Sequence, residues 1–109
     1  MKVFAISDLH LSTSVSKPMD VFGDGWVDHF EKIKADWQSK VSKDDLVLLG
    51  GDISWASNLD EAESDFELLK QLSGTKVVCK GNHDYWWSTL TKISNRFPYI
   101  NFIQNNCFV

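Results

Sequence analysis

The order of apolar runs along the chain predicts an α/β fold, with strands alternating with helices around a parallel sheet. Three observations carry the prediction. Short apolar runs at Val3 to Ile6, Leu46 to Leu49 and Lys76 to Cys79 read as buried strands. Between them lie segments whose apolar residues recur every three or four positions, the spacing of an amphipathic helix. Each strand then closes on polar residues of one chemical kind: Asp8-Leu9-His10, Gly51-Asp52-Ile53-Ser54 and Gly81-Asn82-His83-Asp84.

The elements follow in order. After the first strand, residues Ser12 to Gly25 form a polar loop holding Pro18, Gly23 and Gly25. A helix is expected from near Trp26 to about Val41, capped by Asp24 or Gly25, with Trp26, Phe30, Ile33 and Trp37 on the face toward the sheet. Lys43-Asp44-Asp45 turns the chain into the second strand. The loop from Gly50 to Asn58 leads to a second helix, where Asn58 and Glu61 have capping-box spacing and Asp60 suits the positive helix start. Its stripe is Ala62, Phe66, Leu69 and Leu72, and Ser73-Gly74 ends it. A third helix is expected over Trp86 to Asn95, stopped at Arg96-Phe97-Pro98 because the residue before proline disfavours helical backbone. Short strands are expected around Asn101 to Ile103 and at Cys107 to Val109. The last one reads as a strand at its start. Residues 1–109 are therefore expected to be the N-terminal part of a single domain whose C-terminal half lies elsewhere.

Bulk properties narrow the function classes. A chain of 109 residues holds one domain at most, with a modest core. Its net charge of -4, without a long basic run, argues against sequence-independent nucleic-acid binding. Bound metal ions would still attract phosphate to an acidic chain. Cys79 and Cys107 read as reduced core thiols. The apolar run at the N-terminus is too short for a signal-peptide core, and no run approaches the ~20 residues of a membrane helix, so a cytoplasmic location is expected.

The three polar clusters permit metal chemistry. Ligands of open α/β sheets bind beyond the carboxyl ends of the strands. Asp8 and His10 are two apart, and extended backbone would send both to one side, within reach of one cation. Asp52 follows Gly50 and Gly51, which let the backbone pass close to a metal. Its two oxygens suit a bridge between ions ~3.5–4 Å apart. Asn82 offers a neutral carbonyl oxygen to a second ion. His83 can give a proton to a departing oxygen, and Asp84 beside it is expected to fix its tautomer and raise its basicity.

In composition and order these motifs resemble the calcineurin-like metallophosphoesterases, which carry Asp-x-His, then Gly-Asp, then Gly-Asn-His-Asp/Glu at strand ends. The resemblance implies a four-layer α/β/β/α sandwich of two mixed sheets, holding two divalent ions such as Mn, Fe or Zn. It implies that Asp8 and His10 bind one ion, Asp52 bridges, Asn82 binds the other, and His83 protonates the leaving group. The implied reaction is phosphoester hydrolysis by hydroxide attack on phosphorus. Trp86 and Trp87, directly after the third motif, are similar to bacterial members of mostly unassigned substrate.

The resemblance spans nearly the whole chain but only the first half of the family pattern. The later metal-binding histidines, commonly in Gly-His-x-His, have no counterpart here, and His29 reads as a partly buried surface residue. The resemblance thus implies that full activity needs the C-terminal half, and that one sheet face is exposed or covered by another copy of the chain. Two other functions compete: a non-catalytic scaffold of the same fold that binds a protein partner, and a nuclease or other phosphodiesterase. Loss of ligands would mark a scaffold, yet every expected residue of the first half is present. Trp26 and Trp37 are expected in the core. Trp55, Tyr85, Trp86 and Trp87 either pack over the sheet edge or wall a substrate pocket. Lys17, Asp20 and Asp24 belong to the long first loop, which either overhangs the site or is simply solvated.

Overall fold

A computed structural model describes residues 1–11 and 29–104. Its strands are β1 (Val3–Ile6), β2 (Leu46–Leu49), β3 (Thr75–Cys79) and β4 (Asn101–Ile103). They form one parallel sheet in the order β1-β2-β3-β4. Between them run α1 (His29–Lys40), α2 (Leu59–Lys70) and α3 (Leu90–Arg96). A parallel neighbour can be reached only by a crossover, which accounts for the strict alternation.

The register divides the sheet residues between two faces. Phe4 pairs with Val47, Ile6 with Leu49, Leu49 with Val78, and Val78 with Phe102. These residues share a core with Trp37 and Val41 beside α1, Ala62, Phe66 and Leu69 of α2, and Ile93 of α3. Among the described residues, then, the helices cover one face. The other face carries Val3, 58% exposed, and Leu48, 40% exposed. At the centre of the core Phe66 stacks on Phe97, ring centroids 4.3 Å apart, and meets Trp86 edge-on at 5.0 Å.

Local chemistry explains the helix boundaries. Asn58 caps α2, its side chain accepting the Glu61 N–H at 2.9 Å. Glu61 reaches back to the N–H of Ser57, one residue before the cap. The expected stripe Ala62, Phe66, Leu69 and Leu72 is buried throughout. Trp37 is buried too, its indole donating to the Ser73 carbonyl at 2.8 Å and tying α1 to the end of α2. The start of α3 differs from expectation: it begins at Leu90, not Trp86, with Thr89 as cap accepting the Lys92 N–H. Trp86 lies instead in the preceding turn, its ring in the core and its indole nitrogen bonded to Asp84. Trp26, the caps Asp24 and Gly25, the loop residues Lys17 and Asp20, and the strand expected at Cys107 to Val109 lie outside the described residues.

Candidate metal centre

Beyond β1 and β2 the chain does not splay into free loops. The parallel ladder continues through Asp8 N–H to Gly51 O and His10 N–H to Asp52 O, both 3.0 Å, and Leu11 N–H to Ile53 O at 2.9 Å. It closes with a parallel bridge between Leu11 and Ser54. The cost appears in the dihedrals. Asp8, His10 and Asp52 have φ of 60, 48 and 50°, the left-handed region that residues with a Cβ seldom occupy. Such strain persists only where surrounding bonds over-determine it.

This geometry corrects the extended-strand argument for Asp8 and His10. Both sit in left-handed kinks, with Leu9 fully buried between them. Their side chains nonetheless converge: His10 Nε2 lies 3.7 Å from Asp8 Oδ1 and 3.9 Å from Asp52 Oδ2. Those separations are too long for hydrogen bonds. They fall in the range that two ligands of one first-row cation keep, given metal–ligand bonds of ~2.1 Å. His10, Asp52 and His83 each offer a donor atom, all within 4.8 Å of one another. The Asp8 and Asp52 carboxylates with the His10 imidazole make a donor set suited to Mn, Fe or Zn. The residues fit a divalent ion.

The protonation states agree with that fit. Burial lowers the pKa of His10, outweighing the pull of Asp52 and Asp8, and keeps a lone pair on the imidazole. Burial works against the charge on Asp52, but the bonds from the ring and backbone N–H of His83 prevail and hold its pKa below the ordinary value. An ionised carboxylate only accepts, so His83 Nδ1, 2.9 Å from Asp52 Oδ2, carries a proton.

That bond also corrects the role expected of Asp84. The residue that sets the His83 tautomer is Asp52. Asp84 is buried and turned away, accepting the N–H groups of Asp52 and Ile53 at 2.8 Å and of Gly81 at 2.7 Å. It also accepts the Trp86 indole at 3.0 Å. Asn82 is exposed beside His83 on the loop after β3.

Aromatic rings line the other side of the histidines. Trp55 stacks on His10 with centroids 4.9 Å apart and lies at the same distance from His83. Tyr85, 60% exposed, meets His83 edge-on at 6.1 Å. Trp55 thus braces both histidines of the site. Two supports carried no local sequence signal. His29 Nε2 donates to the Leu9 carbonyl at 2.7 Å, anchoring the first motif to α1. Ser54 donates to the buried Asp65 of α2 at 2.5 Å and accepts the Ala56 N–H, holding the second motif. Only packing brings these partners together across intervals of 20 and 11 residues.

Comparison with known proteins decides the family. The family model for calcineurin-like phosphoesterases matches residues 1–109.

The chain belongs to the calcineurin-like phosphoesterase family.

A solved structure, that of a protein of unknown function from Aquifex aeolicus, shares the phosphoesterase chain's fold with a TM-score of 0.64 at 18% identity. The match covers 94% of this chain and 50% of the Aquifex chain, so this chain spans half the length of that protein. Among curated proteins none matches. No helix among the described residues is long and apolar enough to cross a membrane.

Proposed function

We propose that this phosphoesterase hydrolyses phosphoesters at a two-metal centre built on the loops after β1, β2 and β3. The observation that carries the reading is the convergence of His10, Asp52 and His83 donor atoms within 4.8 Å at the carboxyl ends of parallel strands. Asp8, His10, Asp52 and Asn82 are the residues that would hold the ions, with the Asp52 carboxylate shared between them. Bound divalent cations supply Lewis acidity toward the phosphoryl oxygen and a water nucleophilic at neutral pH. The chain's own part is positioning and proton transfer. Asp52 is ionised and therefore able to bridge. His83, its side chain 41% exposed, is tethered to Asp52 through Nδ1; with a second proton on Nε2 the ring would give that proton to the departing oxygen and return to its Nδ1–H form. We further infer that residues 1–109 are the N-terminal part of one domain and that full turnover needs ligands from the remainder. The half-length match to the Aquifex structure supports this.

The test is hydrolysis of p-nitrophenyl phosphate and bis-p-nitrophenyl phosphate with added Mn²⁺, alongside Mn²⁺ titration by calorimetry. Mn²⁺-dependent turnover that falls to background in Asp52→Asn is the expected result. A folded Asp52→Asn protein with undiminished activity overturns the assigned bridge. Preference between the two substrates separates monoesterase from diesterase.

A further inference from the structure

Asp84 touches neither the candidate donor atoms nor the outer edge of His83, yet it is nearly inaccessible and surrounded by donors. One oxygen, Oδ2, accepts the N–H of Asp52 and the N–H of Gly81. The other, Oδ1, accepts the N–H of Ile53, the indole of Trp86 and, at a longer 3.4 Å, the N–H of Ser54. A single carboxylate thus spans the loop after β2 and the loop after β3. Those loops meet backbone to backbone. A Cβ built on Gly51 would lie 2.5 Å from Gly81 N, and one on Gly81 would lie 2.3 Å from both Asp52 N and Asp52 Oδ1.

The arrangement addresses the strain at Asp52. Its φ of 50° turns successive N–H groups of Asp52 and Ile53 toward the same side, where only a strong acceptor compensates them. We propose that Asp84 is the positioning residue of this centre: by chelating the Asp52 and Ile53 amides it fixes the left-handed backbone that aims the Asp52 carboxylate at His10 and His83. The inference rests on the metal-centre reading only for its consequence in metal affinity. The aim of the carboxylate is visible without metal, because the bond from His83 Nδ1 depends on it. A neutral amide cannot replace Asp84, since its NH₂ group would face one of these donors.

The experiment compares wild type with Asp84→Asn and Asp84→Glu by ¹⁵N spectroscopy of the histidine rings without metal, and by Mn²⁺ calorimetry. Wild-type His83 is expected in the Nδ1–H tautomer, and Asp84→Asn is expected to relax it toward the mixture of a free imidazole. If metal binds wild type, Asp84→Asn is expected to weaken it roughly 10–100-fold, as loss of an outer-sphere partner does, and Asp84→Glu to recover part of the loss. A folded Asp84→Asn protein with wild-type His83 tautomer and Mn²⁺ affinity overturns the proposal. Absence of Mn²⁺ binding in wild type would sink the metal-centre reading while the tautomer still decides on Asp84. Should neither variant fold, amide exchange in the wild type decides: the Asp52, Ile53 and Gly81 amides are expected to be protected, and free exchange in the folded protein rejects the proposal.

Discussion

Gly81 shows how little room single residues have around the centre. A methyl group there would collide with the backbone and carboxylate of Asp52, neither of which can swing aside as a long side chain would. Gly81→Ala is expected to cost roughly 1–3 kcal/mol by overpacking and to weaken Mn²⁺ binding, read by urea denaturation and calorimetry. Lys76 offers a test at the opposite end of the sheet. It is buried in β3 with its ammonium on the Gly74 carbonyl at 3.2 Å, and burial lowers its pKa below the usual 10.5. Between the folded value and 10.5 the unfolded chain binds more protons, so this group makes stability rise with pH there. Lys76→Met is expected to remove that rise. Urea midpoints of both proteins, followed from neutral pH to the alkaline limit, check the sign.

Secondary elements were legible to different degrees. The spacing of Ala62, Phe66, Leu69 and Leu72, with Asn58 and Glu61 at its start, located α2 because local capping and amphipathic burial agree there. The start of α3 was not legible. Trp86 has helical spacing from later apolar residues, but a buried carboxylate two residues earlier holds its indole, and helix begins only at the Thr89 cap. Two element-scale predictions follow the packing. Phe66→Ala, at the centre of the ring cluster, is expected to lose about 3–5 kcal/mol, enough to unfold a marginal domain of this size, measured by far-UV circular dichroism against urea. Ser54→Ala leaves Asp65 without its hydroxyl donor and Ala56 N–H without its acceptor. That costs roughly 1–3 kcal/mol and is expected to loosen the loop carrying Asp52, seen as faster amide exchange over residues 52–56.

At the scale of the molecule, the described residues give one sheet an apolar face under helices and an apolar face that no described helix covers. Leu48 and Leu49 are neighbours on β2 that point to opposite sides, one 40% exposed and one inside the core. Replacing each by serine separates the faces: Leu49→Ser is expected to unfold the chain, whereas Leu48→Ser shifts the urea midpoint only slightly. Comparable losses at both positions would show that the second face is also packed. Composition and periodicity by themselves determined the strand–helix alternation, the parallel sheet and the three loops where charge gathers. These are properties of local pattern, and each motif follows its strand directly in the chain. What only the tertiary structure decided is who partners whom across those loops. Left-handed kinks replaced the extended geometry of Asp8 and His10. Asp52, not Asp84, took the His83 ring nitrogen, and Asp84 took the backbone amides. The physical reason is that one-dimensional spacing encodes which face a side chain leaves from, whereas buried donors and acceptors must be matched in three dimensions, among groups 30 or more positions apart.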